Sequence, residues 1–344
     1  MDPVACLQLL IAGESLSECE AEALFGAMLI GEIDERLIAG LLAALAAKGP
    51  TVDELTGAAR VMRAHVMPVP YEPTADERLI DTCGTGGAPK TFNISTAAAL
   101  IAASTEAQVR VLVAKHGNRS RTGRGSAEVL AALGVQVDAP PEVQAECLRE
   151  AGVCFCFAIH HHPAMRYAGA VRRALGVPTI FNAIGPLTNP ASASRQLIGV
   201  YAPDLVGQLA ECLARLGAER AMVVRGHDGL DEITTTTTTA VAHVADGKVE
   251  PGTIDPSKLG LERCSIADLQ VTSIEEGAAV IRSVIAGEAG PRRDITLLNS
   301  SAALLVAGAA DSMEDGLALA ADAVDSGRAV KTLKALTRVS HCKR

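Results

Sequence analysis

From residue 79 onward, short apolar runs alternate with alanine-rich stretches, and that alternation constrains the fold more than any other feature of the chain. Leu79–Asp81, Val109–Val113, Val153–Ala158 and Ala221–Val224 read as short buried strands. Helical segments such as Ala127–Leu133 and Asp204–Leu216 lie between them. The pattern predicts an α/β domain with a mostly parallel sheet flanked by helices. Residues 1–72 carry no strand-like run and are expected to form a small N-terminal helical domain. Within them, Ser17-Glu-Cys-Glu20 and Thr51-Val-Asp-Glu54 have the form of reciprocal helix caps, each ahead of an apolar-periodic stretch. Pro68, Pro70 and Pro73 then break the pattern, so the larger domain is expected to span 73–344. Helices from about 163–190 are candidates to pack with the N-terminal domain.

Composition narrows the function classes. A chain of 344 residues, 49% hydrophobic, can bury a substantial core. With no Trp, 3 Tyr and 5 Phe it lacks stacking platforms for single-stranded nucleic acid, and a net charge of −9 argues against nucleic acid generally. A small anionic substrate remains open, held by local cations and a divalent metal. The nine cysteines are scattered without C-x-x-C pairs, the N-terminus has no basic leader, and no apolar run reaches membrane-spanning length. A cytoplasmic protein with reduced thiols and no membrane partner is expected. Cys154 and Cys156 alternate with Phe155 and Phe157, which fits core packing better than metal ligation.

Four segments carry chemistry. In the first, Gly84, Gly86 and Gly87 precede the turn Thr91-Phe-Asn-Ile-Ser-Thr96 and an apolar helix beginning at Ala97. Backbone amides and the positive end of a helix dipole favour an anion there, although glycine-rich junctions also occur without a ligand. The spacing is neither the dinucleotide fingerprint nor a Walker loop. In the second, Lys115-His-Gly-Asn-Arg-Ser-Arg-Thr-Gly-Arg-Gly-Ser126 follows a strand and joins four cations to three glycines. It reads as a second anion loop, the alternative being a solvated basic loop. The third, Arg225 to Ile233, carries Asp228, Asp231 and Glu232 at a strand end, a donor set suited to magnesium or, alternatively, to capping a turn. The following threonines, Thr234 to Thr239, favour a strand by their β-branching. The fourth begins at His160, His161 and His162, whose spacing cannot direct three rings to one ion. One of them is expected to line a pocket and the others to cap the helix after Pro163. Arg172 on that helix offers a planar fork to a carboxylate, or is a surface arginine.

In this order, GTGG, TFNIST, KHGNRS, HPAMRYAGAVRRALGVPTIFNAIGPLTNP and DGLDEI resemble the anthranilate phosphoribosyltransferases, and the resemblance covers nearly the whole chain, including Gly290 to Asn299. It implies displacement of pyrophosphate from phosphoribosyl pyrophosphate by the amino group of anthranilate. It further implies about two magnesium ions per subunit, held by Ser95, Asp231 and Glu232. Phosphoribosyl pyrophosphate would be bound by Gly84, Gly87, Ala88, Thr91, Asn93, Ile94, Ser95, Thr96 and Lys115, and by the loop residues His116, Gly117, Asn118, Arg119, Ser120, Arg121, Thr122, Gly123 and Ser126. Gly84, Asn118 and Arg172 would face anthranilate. No residue is assigned as acid, base or nucleophile, because the aryl amine is already a free base at neutral pH. Nucleoside phosphorylases share the superfamily fold with a different phosphate loop, and a catalytically inactive binding module is the remaining alternative. Two departures stand out: Ala88 replaces the family's aspartate in a loop one residue shorter, with Pro89 and Lys90 following, and Arg225 stands where the family often has histidine. A homodimer through the N-terminal helices is expected, from the resemblance and from the apolar Leu24, Phe25, Met28, Leu29, Leu37, Leu41 and Leu42.

Overall fold

Ser17 and Thr51 start their helices through the expected reciprocal caps. The Ser17 hydroxyl accepts from the Glu20 N–H at 3.3 Å, and the Glu20 carboxylate accepts from the Ser17 N–H at 2.9 Å. At the second cap the carboxylate is fully buried. Glu54 accepts from Thr51 N–H at 2.8 Å, Leu16 N–H at 3.0 Å and the Lys48 ammonium at 3.0 Å, so an otherwise costly charge is neutralised and saturated with donors. The computed structural model describes residues 2–89, 91–119 and 125–342. Its first four helices are α1 (Pro3–Ile11), α2 (Glu18–Ile30), α3 (Glu35–Lys48) and α4 (Val52–Ala64).

The remainder winds around one sheet. Its strands are β1 (Glu77–Gly84), β2 (Arg110–Gly117), β3 (Val153–Phe157), β4 (Arg195–Gly199), β5 (Arg220–Gly226), β6 (Thr239–Ala245) and β7 (Lys248–Ile254). The spatial order is β3-β2-β1-β4-β5-β6-β7. The first five strands in that order are parallel, and β5, β6 and β7 are antiparallel. Connecting helices are α5 (Ile94–Ala102), α6 (Ser126–Ala132), α7 (Pro141–Ala151), α8 (Ala158–His161), α9 (Arg166–Leu175), α10 (Ile180–Ile184) and α11 (Leu205–Arg215). After β7 come α12 (Ile266–Leu269), α13 (Ile274–Ile285), α14 (Pro291–Ala307), α15 (Met313–Asp325) and α16 (Arg328–Ser340). The chain leaves β1 toward β2 and β3, then returns to lay β4 on the other side of β1. That reversal opens a crevice beyond the carboxyl ends of β1 and β4, where ligands gather in such sheets.

Two cores form, one on each face of the sheet. One packs α5, α14 and the C-terminal helices against β1, β2 and β3. The other unites the N-terminal helices with α9, α10, α11 and the opposite face of β4 and β5. Phe25 of α2 meets Phe181 of α10 edge-on at 5.7 Å, and Arg63 of α4 donates to the carbonyls of Leu187 and Leu216 at 2.6 and 3.2 Å.

Three expectations are corrected by this packing. Leu24, Phe25, Met28, Leu29, Leu41 and Leu42 are at most 2% exposed within the chain's own core, so they are not surplus surface for a partner; Leu37 is half-buried. Residues 234–238 form no strand, and β6 begins only at Thr239. Hydrogen bonding overrides β propensity there: Thr234 and Thr236 hydroxyls donate to Asp228, and Thr238 pairs with His227 at 2.7 Å. None of the three consecutive histidines caps the following helix with its side chain. Met165 is the N-cap of α9, without a side-chain bond. The strands β4, β6 and β7 were not among the runs singled out from the sequence.

Candidate active site

The glycine loop leaves β1 at Gly84, directly beside Gly199 at the end of β4. Gly86 and Gly87 take φ of 66° and 93°, left-handed values that favour glycine. Thr85 N–H donates to the Gly199 carbonyl at 2.9 Å, and the Thr85 hydroxyl accepts from Tyr201 N–H at 3.1 Å. In the turn that follows, Thr91, Asn93 and Ser95 are half-buried, whereas Phe92, Ile94 and Thr96 are buried. The alternation puts the polar side chains on the open side. Ile94 belongs to the core and its N–H is taken by the Phe92 carbonyl at 2.9 Å.

The acidic turn after β5 closes over this loop. Gly86 N–H donates to Asp231 Oδ2 at 3.1 Å, and Ser95 N–H donates to Glu232 Oε1 at 3.1 Å. The Ser95 N–H in the first turn of α5 is thus taken by the Glu232 carboxyl group. Lys115, buried at the end of β2, reaches beneath β1 to donate to the Thr82 carbonyl at 2.6 Å and Ser95 Oγ at 3.0 Å. Removal from water lowers the Lys115 pKa, against the opposing pull of Asp81 and the acidic pair. The same desolvation, reinforced by Asp231 alongside, pushes Glu232 up to about 8. Asp228 stands apart from this pair. Its oxygens accept from Leu230 N–H at 3.0 Å and from the Thr234 and Thr236 hydroxyls, so it organises the turn.

The basic loop begins on the same sheet edge. A Cβ on Gly117 would overlap Ser126 Oγ and lie 2.7 Å from the Phe155 ring, so the two ends of the loop meet where only glycine fits. Asn118 and Arg119 are exposed; Asn118 Oδ1 accepts from Arg119 N–H at 2.8 Å, and the Arg119 guanidinium lies 5.6 Å from the Phe157 ring centre. Ser120, Arg121, Thr122, Gly123 and Arg124, with Lys90 of the first loop, lie outside the described residues. Ala88 and Pro89 continue the glycine loop. The Arg225 guanidinium is tied to the carbonyls of Tyr201 and Gly226 at 3.1 and 3.3 Å.

His116 and His162 form a pair that the sequence did not reveal, since 46 residues separate them. Their Nε2 atoms are 3.2 Å apart. One neutral ring must donate and the other accept. Burial holds both below the usual imidazole range, His162 at about 4. His161 is engaged elsewhere, between the Met67 carbonyl at 2.6 Å and Gln144 at 2.9 Å, and exposed His160 pairs with Asp138. Arg172 lies on α9, which packs on α2 and α3, with its guanidinium 5.3 Å from the Phe181 ring centre and 3.4 Å from Asn182 Oδ1. Both of these neighbours belong to α10 and not to the loops above. Among the described residues no cluster of three or more His, Cys, Asp or Glu forms a metal cage, and no helix is long and apolar enough to cross a membrane. A hard dication with few protein ligands needs no such cage.

Residues 4–66 match the helical bundle domain of the glycosyl transferase family, and residues 76–330 match its α/β domain. The chain belongs to that family of transferases. It is 46% identical to the anthranilate phosphoribosyltransferase of Syntrophotalea carbinolica, over 96% of this chain and 97% of the relative, and 46% identical to that of Moorella thermoacetica, over 96% of each. The crystal structure of the Thermus thermophilus enzyme superposes with a TM-score of 0.89 at 39% identity, covering 98% of this chain and 99% of that one. The yeast enzyme in complex with phosphoribosyl pyrophosphate and magnesium shares the fold, with a TM-score of 0.87 at 23% identity over 98% of this chain and 97% of that one. Within the transferases, this chain is a member of the anthranilate phosphoribosyltransferase family.

The histidine pair sets a stability limit in acid. A folded pKa of about 4 lies below the unfolded value of about 6.5, so its contribution is full above pH 6.5 and lost as pH falls toward 4. Urea titrations should show wild type losing about 2 kcal/mol more than His162→Gln between pH 7 and pH 5. Equal losses would mean that His162 protonates as readily in the folded chain as in the unfolded one.

Proposed function

We propose that this chain transfers the phosphoribosyl group of phosphoribosyl pyrophosphate to anthranilate, giving N-(5-phosphoribosyl)anthranilate and pyrophosphate in tryptophan biosynthesis. The observation that carries the reading is the convergence of three motifs at one sheet edge, through the bonds of Gly86 to Asp231, Ser95 to Glu232 and Lys115 to Ser95. Asp231, Glu232 and Ser95 supply hard oxygen donors, the kind a hard dication takes alongside substrate oxygens and water. They fit magnesium, about two ions per subunit. Bound there, magnesium would neutralise charge developing on the leaving pyrophosphate.

The chain's own residues do the rest by placement. The Gly84–Ala88 loop, the half-buried Thr91, Asn93 and Ser95, and Lys115 line the sugar-phosphate side. His116, Gly117, Asn118, Arg119 and Ser126, from the two ends of the basic loop, add to that side. Asn118 and Arg172 orient anthranilate, the arginine by its carboxylate. The amine nitrogen forms its bond to the anomeric carbon as the bond to pyrophosphate breaks, the electron pair leaves with pyrophosphate, and the nitrogen's proton passes to solvent. Both substrates are small molecules, and a cytoplasmic enzyme without nucleic-acid or membrane partners follows from the same reading. Division into residues 1–72 and 73–344 places the phosphate contacts on the larger unit. The proposed homodimer rests on α1, where Val4 and Ile11 are 48% and 72% exposed.

Purified protein should consume anthranilate only when phosphoribosyl pyrophosphate and magnesium are both present, with no activity on uracil or thymidine plus phosphate. Asp231→Asn combined with Glu232→Gln should abolish turnover with the circular dichroism spectrum intact; near-normal turnover at saturating magnesium would refute the metal assignment. Arg172→Ala should raise KM for anthranilate about ten- to a hundredfold and leave that for phosphoribosyl pyrophosphate nearly unchanged, as expected for loss of a charge-assisted contact of about 1.5–3 kcal/mol. Equal effects on both would reassign Arg172 to structure. Light scattering at micromolar concentration should give twice the chain mass, and a monomer would reject the dimer.

A further inference from the structure

We infer that Asn299 and Asp228 are positioning residues that fix the acidic turn from its two ends, so that Asp231 and Glu232 are preorganised before any ligand arrives. The inference rests on the metal role proposed for those carboxylates. Asn299 sits in the middle of α14 and is 1% exposed, a position where an apolar side chain would be the ordinary choice. Its amide is fully used. Oδ1 accepts from Ile233 N–H at 3.0 Å, while Nδ2 donates to the Ile233 carbonyl at 2.8 Å and to the Ile295 carbonyl at 2.8 Å. A single side chain thus holds both backbone groups of the residue immediately after Glu232.

Asp228 performs the matching task on the other side, accepting from Leu230 N–H, the residue immediately before Asp231, at 3.0 Å. Its second oxygen takes the Thr234 and Thr236 hydroxyls, which ties the exit of the turn back to its entrance. Between the two fixed points the sequence reads Leu-Asp-Glu-Ile. Leu230 and Ile233 are buried at 1% and 0%, and the two acids between them are half-buried. Half-buried acids lose hydration, and an unrestrained turn would relax by swinging them into water. Pinning the backbone on both sides removes that escape.

The test uses the whole chain and a probe other than turnover. Manganese binding in the presence of phosphoribosyl pyrophosphate is measured by electron paramagnetic resonance, and backbone amide exchange is followed in the ligand-free protein. Asn299→Ala should weaken manganese binding about 10- to 100-fold, the usual effect of losing a residue that orients metal ligands, and should speed exchange at Asp231 and Glu232. Ser300→Ala is the control on the same helix: its hydroxyl bonds only to the Thr296 carbonyl within α14, so it perturbs the helix without touching the turn. Should Asn299→Ala fail to fold, Asp228→Asn reads the other clamp by the same two measurements. Wild-type manganese affinity in a folded variant, or equal weakening in Ser300→Ala, would overturn the inference. Absence of manganese binding in wild type itself would instead overturn the metal assignment beneath it.

Discussion

The approach of the Asp231 backbone to the ends of β1 and β4 is the constraint on which the rest of the site depends. A Cβ at Gly199 would overlap the Asp231 carbonyl, and one at Gly84 would lie 2.9 Å from Asp231 Oδ2. These two glycines are partners in the β1–β4 register, at the point where the chain reverses its direction across the sheet. Their missing side chains let a turn from β5 lie directly on two parallel strands. Without that contact, Gly86 and Ser95 would have no carboxylates to bond, and the glycine loop, the α5 turn and the acidic turn would be three unrelated surface features.

Charge balance in the resulting crevice explains how an acidic protein can accept a phosphorylated substrate. Glu232 and the buried Lys115 ammonium share Ser95 as their common neighbour, while Asp231 takes the Gly86 amide. Desolvation works against both signs at once, raising Glu232 and lowering Lys115. Burial thus penalises either charge standing alone, and the two groups are held close enough to offset one another. The neutral His116–His162 pair adds no charge to this balance at pH 7. Local arrangement, not the overall charge of −9, governs the site.

Legibility in the sequence followed the range of the interactions. Reciprocal caps at Ser17 and Thr51 and the glycine loop ahead of α5 are local, and the fold class followed from the strand and helix alternation. What escaped depends on partners far along the chain. The apolar stripe on α2 and α3 looked unpartnered because part of its cover, α9 and α10, comes some 120 residues or more later, adding to that of α1 and α4. Thr234 to Thr238 looked like a strand because β propensity does not register an aspartate several residues upstream that collects the hydroxyls of Thr234 and Thr236. Asn299 gave no local signal at all. A buried amide in a helix becomes meaningful only once Ile233 is seen against it.

The route of the chain between β3 and β4 has a consequence for how two substrates meet. Segment 158–190 is inserted between sheet strands, yet its helices α9 and α10 pack on α2, α3 and α4. Arg172 is thereby carried with the helical bundle, while Gly84, Ser95, Lys115 and Glu232 belong to the sheet. Bonds across the seam include Arg63 to the Leu216 carbonyl, Gln208 to the Pro50 carbonyl, Arg215 to Asp53 and Gln196 to the Pro186 carbonyl. If acceptor and donor substrates are gripped from opposite sides of that seam, their separation is set by its geometry.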